Sequence, residues 1–284
     1  MKKCYREELV GVFGMPVDEN PTVVIQEAAF KALGLPFRYL TIEVRPEDLG
    51  KAMDGMRAMN MRGINITMPY KTTVLQYLDH VADDAKLMGA VNTIYSKDGK
   101  LYGENTDGKG FITSLQKGGV SISGKRVVLL GAGGVARAIS VELANAGAEY
   151  IQIVNASEER GMVLTELLNE NTPVKAEFHL WTGTYSVLPD TDILVNGTSV
   201  GFLNSEECPD IDYDTVTKDM IVCDVIATNA NTRFLEEAKN RGARTFDGFT
   251  MLVYQGALGF ELWTGKEAPV EVMANALKAE MAGA

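Results

Sequence analysis

Two groups of residues in this 284-residue chain have the types and spacing to do chemistry. The first is Gly131-Ala132-Gly133-Gly134-Val135-Ala136, which directly follows the apolar run Val127-Val128-Leu129-Leu130. Glycines set between a buried strand and a helix match the G-x-G-x-x-G/A turn that cradles a dinucleotide. Gly131 permits the tight turn, Gly133 lets the backbone approach a pyrophosphate, and Ala136 is small enough for close helix–sheet packing. The helix N-terminus favours the ligand's negative charge. Such a ligand points to hydride transfer, which at a carbonyl also needs a group that gives or takes a proton. No Tyr is followed four residues later by Lys, and Cys4, Cys208, Cys223, His80 and His179 are too few and too scattered for a catalytic zinc, so no metal is expected. The second group is therefore sought in two polar, glycine-punctuated segments, Asn65-Ile66-Thr67-Met68-Pro69-Tyr70-Lys71 and Asn105-Thr106-Asp107-Gly108.

The adenosine ribose is expected at the end of the strand after the glycine turn, which reads Asn155-Ala156-Ser157-Glu158-Glu159-Arg160. An acid there selects NAD and an Arg selects the extra phosphate of NADP. Glu158 disfavours a phosphate, whereas Ser157 and Arg160 could hold one, and Asn155 is a further candidate contact of the cofactor. Both NAD and NADP stay open, with Ala156 and Glu158 leaning toward NAD.

These residues need elements to hold them. Short β-type runs at 9–13, 37–42, 63–66 and 91–95 alternate with helical patterns at 23–33 and 47–59, where Pro21 and Pro46 mark helix starts. Lys97-Asp98-Gly99-Lys100 reads as a hairpin turn into a return strand at 101–103. A second βα rhythm begins after Gly124. It has strands at 126–130, 150–154, 193–196, 221–225 and 244–246, helices at 135–146, 158–168 and 232–241, and two tail helices broken at Gly265 and Pro269. The expected organisation is a substrate domain over 1–108, with 250–284 packing back on it, and a dinucleotide domain over 109–249.

A net charge of −11 opposes nucleic-acid binding, and no apolar run approaches the roughly 18 residues of a membrane span. The first eight residues turn acidic before any apolar stretch, which leads to the expectation of a cytoplasmic protein without a signal peptide. A monomer or homodimer handling a small-molecule substrate is expected.

Six ordered segments carry a resemblance. Gly63 to Lys71, Gly89-Ala90-Val91-Asn92-Thr93, Gly103-Glu104-Asn105-Thr106-Asp107-Gly108, Gly131 to Ala138, Asn196-Gly197-Thr198-Ser199-Val200-Gly201 and Met251-Leu252-Val253-Tyr254-Gln255-Gly256 resemble successive motifs of the shikimate dehydrogenase family. The resemblance implies an N-terminal α/β substrate domain plus a Rossmann-like, doubly wound dinucleotide domain. It also implies interconversion of a ring hydroxyl and a ketone, as with shikimate or quinate, in the cleft between the domains. Lys71 would transfer the proton with Asp107 as its partner, Asn92 and Gln255 would meet substrate hydroxyls with Thr67 nearby, and Thr198 and Val225 would meet the dinucleotide. A partly desolvated lysine oriented by a carboxylate suits general acid–base work. The alternative class is a non-catalytic dinucleotide-binding protein, against which the retention of Lys71 and Asp107 speaks.

Two departures bear on the substrate. In the family, a segment resembling Gly-x-Pro-x-x-x-Ser-x-Ser-Pro supplies two serines to the substrate carboxylate. Here Gly14-Met15-Pro16-Val17-Asp18-Glu19-Asn20-Pro21, anchored on Pro21, is two residues shorter and lacks both serines. Ionised Asp18 and Glu19 repel a carboxylate, leaving Asn20 as the neutral polar side chain. In Asp224-Val225-Ile226-Ala227-Thr228-Asn229, Ala227 replaces a Tyr that reaches the same carboxylate, and Asn229 replaces a Pro. The expected substrate is therefore a cyclic polyol or related ketone without a carboxylate, or one that presents a cationic or hydroxyl group to Asp18 and Glu19; the alternative is that the loop reorganises and Asn20, with backbone amides, still binds the acid.

Overall fold

The computed structural model describes residues 5–204, 206–227 and 231–283. Cys4, Thr228 and Asn229 lie outside the described residues. The fold divides into two compact units, Met1–Thr106 with Val253–Ala284, and Asp107–Leu252.

The first unit begins with β1 (Glu8–Gly14), α1 (Thr22–Ala32), β2 (Phe37–Glu43), α2 (Leu49–Ala58), β3 (Gly63–Ile66), β4 (His80–Val81), α3 (Asp83–Met88), β5 (Thr93–Lys97) and β6 (Lys100–Glu104). Its six strands run in the order β2-β1-β3-β5-β6-β4, parallel except where β5 meets β3 and β6. The Asp98-Gly99 turn joins β5 to β6 as the hairpin that the sequence predicts. The helix expected from residue 47 is preceded by a short 3-10 turn, Pro46–Asp48, with Pro46 at its first position, and α2 itself begins at Leu49. Phe13, Met53, Met56, Ile64, Ile66 and Ile94 form the centre of this unit's core.

The second unit takes α4 (Thr106–Lys117) from its second residue and continues with β7 (Arg126–Leu130), α5 (Gly134–Asn145), β8 (Tyr150–Asn155), α6 (Glu158–Asn171), β9 (Lys175–Leu180), β10 (Tyr185–Ser186), β11 (Ile193–Asn196), β12 (Ile211–Asp212), β13 (Ile221–Asp224), α7 (Arg233–Asn240) and β14 (Arg244–Phe246). The main sheet is parallel throughout, in the order β14-β13-β11-β7-β8-β9, while β10 and β12 pair apart from it. A parallel sheet covered on both faces needs continuous apolar strands. In β11 all four residues are buried, and in β7 four of five. The strand order reverses between β7 and β11, and in such sheets ligands bind outside the strand ends at that reversal. Strand β9 carried no clear sequence signal. It is an edge strand in which one residue of six is buried, so its alternation is faint.

The chain closes with α8 (Gly248–Thr264), which starts in the second unit and ends in the first, and α9 (Val270–Gly283), which packs on α1. Among the described residues no helix is long and apolar enough to cross a membrane, and no group of three His, Cys, Asp or Glu could hold a metal ion.

Candidate active site

The glycines after β7 play different parts. Gly131 has φ 102°, a conformation that residues with a side chain rarely adopt. A Cβ there would lie 3.0 Å from the Gly197 carbonyl oxygen and 3.1 Å from Thr198 Cγ2, so the turn after β7 lies against the loop after β11. Gly197 is as confined, with a Cβ there lying 3.1 Å from that of Ala136. Gly133 and Gly134 are open: a Cβ at either would meet nothing within 4 Å. They begin α5, whose N-cap Gly133 provides no side-chain hydrogen bond. The first N–H groups of a helix have no intrahelical partner, so this open, uncapped turn is shaped for an anion. Ala132 and Val135 flank it, half-buried.

At the end of β8, Asn155 Nδ2 donates to the Ser157 carbonyl at 2.8 Å, and Ser157 Oγ caps α6 by accepting the Arg160 N–H at 3.5 Å. Arg160, Glu158 and Glu159 are exposed together in the first turn of α6.

The first unit gathers a buried cluster of hydroxyls and amides. Tyr39 pairs with Val10 and Asn65 with Val12 along β1, so both face the same side of the sheet. The Tyr39 phenol crosses β1 and donates to Asn65 Oδ1 at 2.8 Å, and Asn65 Nδ2 donates to Thr93 Oγ1 at 3.0 Å. Thr93 Oγ1 lies 3.0 Å from Thr106 Oγ1, which in turn lies 3.5 Å from Gln255 Oε1 on α8. Asn92 closes the cluster: its Oδ1 accepts the Thr106 N–H at 2.7 Å, and its Nδ2 donates to Thr106 Oγ1 at 3.1 Å. Burial pushes the Tyr39 phenol well above its ordinary pKa, against a smaller opposing effect of a hydrogen bond with the Thr22 hydroxyl.

Lys71 and Asp107 are tied to this cluster through their backbones. The Lys71 carbonyl accepts the N–H of Val91, the neighbour of Asn92, at 2.8 Å. Asp107 follows Thr106 directly as the second residue of α4. Both are half-buried. Thr67 donates its N–H to the Phe13 carbonyl at 3.0 Å, with its methyl over Gly14, where a Cβ would collide. Gly108, next to Asp107, packs so closely on α5 that a Cβ would lie 2.7 Å from Glu142 Cγ and 2.9 Å from the Ala138 carbonyl carbon.

The loop after β1 requires a correction. Counted from Gly14 without a gap, the serine positions of the family pattern fall on Asn20 and Thr22, so the segment is not two residues short. Pro21 is a misleading anchor because it stands between these two positions. Asn20 Oδ1 accepts the Thr22 N–H at 3.0 Å at the start of α1. Thr22 is buried, and Asp18 and Glu19 are exposed. One hydroxyl is therefore retained at a serine position, and the other position carries an amide whose oxygen is already engaged. Reasoning from sequence missed Thr22, Tyr39, Asn65, Thr93 and Thr106. Thr22 falls on a serine position when the segment is counted without a gap, and Asn65, Thr93 and Thr106 stand within the six ordered segments. Nothing local marks Tyr39, since its partner lies two strands away.

The whole chain bears comparison with known proteins. The profile of the shikimate dehydrogenase substrate-binding domain matches residues 12–94, that of shikimate/quinate 5-dehydrogenase residues 114–232, and that of the shikimate 5′-dehydrogenase C-terminal domain residues 248–278. The chain belongs to the shikimate dehydrogenase family. A shikimate dehydrogenase (NADP+) of Methanopyrus kandleri is 44% identical over 95% of this chain and 94% of its own length. Among solved structures, a 5-ketofructose reductase of Gluconobacter is 44% identical with a TM-score of 0.95, covering 98% of this chain and 100% of that one. Shikimate 5-dehydrogenase of Listeria monocytogenes, in complex with shikimate and NAD, is 34% identical with a TM-score of 0.91 and covers 98% of each chain. As a member of this family the chain is an NAD(P)-dependent oxidoreductase acting on a CH–OH group, which answers the alternative of a non-catalytic binding protein.

Proposed function

We propose that this enzyme interconverts a secondary alcohol and a ketone on a neutral, polyhydroxylated substrate that lacks a carboxylate. The observation that carries this reading is that Asn20 and Thr22 stand where the family pattern has its two carboxylate-binding serines, beside a buried cluster of Thr22, Tyr39, Asn65, Asn92, Thr93, Thr106 and Gln255. Every member is uncharged, and hydroxyls and amides both donate and accept, as sugar hydroxyls require. A carboxylate would need strong donors at Asn20 and Thr22; the Thr22 hydroxyl is engaged by Tyr39 inside the protein, and Asn20 offers a single amide group whose oxygen accepts the Thr22 N–H. The name of the Gluconobacter relative supports the reading, because 5-ketofructose is a keto sugar with no acid group. Shikimate itself is the second reading, favoured by the names of the curated relatives.

Gly131, Ala132, Gly133, Gly134 and Val135 would hold the pyrophosphate of a dinucleotide, which the open space at Gly133 and the uncapped N–H groups of α5 suit. Thr198 and Val225 would serve its nicotinamide end, and Asn155, Ser157 and Arg160 its ribose. When bound in reduced form it supplies the hydride. Lys71 gives its Nζ proton to the carbonyl oxygen during reduction and takes it back during oxidation, while Asp107 orients the ammonium group. Gln255, Asn92 and Thr67 orient the substrate hydroxyls. With Glu158 and Glu159 beside Arg160, the ribose site prefers NAD over NADP.

Absorbance at 340 nm tests this directly, with 5-ketofructose, fructose, myo-inositol, quinate and shikimate each run with both dinucleotides. Turnover of a neutral polyol or keto sugar is expected; efficient turnover of shikimate at low KM, with the neutral compounds inert, overturns the reading. Lys71→Met should lower kcat by about 10²- to 10⁴-fold, the usual worth of general acid–base catalysis, and leave dinucleotide affinity unchanged.

A further inference from the structure

Asp224 ends β13 and is 2% exposed. Its Oδ1 accepts from Asn196 Nδ2 and from the Ile226 N–H, each at 3.1 Å, and its Oδ2 accepts from Thr232 Oγ1 at 2.6 Å. These donors belong to three separate places: the end of β11, the turn after β13 and the N-cap of α7. All are neutral. A buried carboxylate held only by neutral donors is a costly way to gain stability, since an apolar side chain of similar size often serves a core as well or better. Its use here therefore calls for a reason in geometry.

The contacts supply one. Asn196 passes the connection on, because its Oδ1 accepts both the Thr198 N–H at 3.1 Å and the Thr198 hydroxyl at 2.6 Å, and Thr198 Oγ1 then accepts the Val200 N–H at 3.1 Å. The Val225 N–H donates to the Asn196 carbonyl at 3.2 Å, so the same pair of loops is also joined through the backbone. On the far side the turn is blocked by Gly248, where a Cβ would lie 2.6 Å from the Ile226 carbonyl carbon. The loop after β11 in turn lies against the glycine turn at Gly131.

We infer that Asp224 is a positioning residue for the dinucleotide: its carboxylate locks the loop bearing Thr198 to the turn bearing Val225 and fixes the shape of both. This rests on the reading of Thr198 and Val225 as dinucleotide contacts. Asp224 acts through Asn196 and touches no reacting atom. Asn at position 224 keeps an acceptor for Asn196 and Ile226 and turns its amide donor to Thr232 Oγ1. Ser is too short to span the three donors.

The test is calorimetric titration of NADH and NADPH into wild type, Gly133→Val, Asp224→Asn and Asp224→Ser, with steady-state constants for both substrates. Asp224→Ser should weaken dinucleotide binding by about tenfold or more and raise the dinucleotide KM in step, with the other substrate's KM unchanged. Asp224→Asn should restore near-wild-type affinity. Wild-type affinity in folded Asp224→Ser overturns the inference, and so does equal weakening in Asp224→Asn and Asp224→Ser. If Asp224→Ser does not fold, Asn196→Ser breaks the same connection, and unchanged affinity there overturns it equally. Gly133→Val separates the two readings: if it binds like wild type, the dinucleotide site is misassigned, whereas its loss of binding beside an unaffected Asp224→Ser condemns the role of Asp224 alone.

Discussion

Gly108→Ala sets two physical expectations against each other. Gly108 is the third residue of α4, where helix propensity alone predicts that Ala stabilises by up to about 1 kcal/mol. The packing predicts the opposite. A Cβ there lies 2.9 Å from the Ala138 carbonyl carbon and closer still to its oxygen, and these are backbone atoms of α5 that no rotamer change can move. Carbon contacts are comfortable from roughly 3.5 Å, so α4 and α5 must part by at least about 0.6 Å. Overpacking of this kind costs about 1–3 kcal/mol, leaving a net loss of up to about 2 kcal/mol once propensity is credited. The displacement falls on the residue next to Asp107 and on the helix that begins at the glycine turn. Misplacement of catalytic groups by about 1 Å can cost about 10²-fold in rate. Urea unfolding and steady-state kinetics on Gly108→Ala should thus show lower stability together with a kcat reduced by about ten- to a hundredfold. A variant more stable than wild type with unchanged kcat would refute the argument from packing and restore propensity as the deciding effect.

Three further outcomes follow from particular contacts. Gly131→Ala forces a side chain into φ 102° beside the Gly197 carbonyl and should abolish dinucleotide binding, whereas Gly134→Ala, with open space around it, should retain it; titration with NADH compares them. Tyr39→Phe leaves Asn65 Oδ1 without its donor and should destabilise by about 1–3 kcal/mol, read by urea unfolding, with a raised substrate KM. For Asp192, burial raises the pKa, but hydrogen bonds from Lys125 Nζ and the Arg126 N–H, with the charges of both residues, outweigh it and hold the carboxyl below its usual range. A depressed folded-state pKa gives stability that is present above the unfolded value and lost as pH falls through the folded one. Asp192→Asn should therefore be less stable than wild type at neutral pH and show a shallower loss of stability below about pH 4.

Much of the fold follows from local pattern. Val127 to Leu130 reads as a covered strand because a parallel sheet excludes water from both faces, and the helix starts at Pro21 and Pro46 mark α1 and the turn into α2 within a few residues. Edge strand β9 escaped detection because one buried residue in six leaves too little contrast. The loop after β1 is harder to read because Pro21 suggests one register, whereas counting without a gap from Gly14 puts the two serine positions on Asn20 and on Thr22, the first residue of α1.

By itself the sequence determined the glycine turn after β7, since a strand, a glycine with positive φ and an uncapped helix start are neighbours in the chain and need no distant partner. It also marked Lys71 and Asp107 through the motifs that contain them. Tertiary structure alone decided what surrounds them. Tyr39, Asn65, Thr93, Thr106 and Gln255 form one hydrogen-bonded cluster only because sheet register and the return of α8 bring five elements together. Gly108 tolerates no side chain only because α5 crosses over it, and Asp224 joins two loops only because β11 and β13 are adjacent. Hydrogen bonds and steric contact act over a few ångströms, and which residues come within that range is a property of the fold rather than of spacing along the chain.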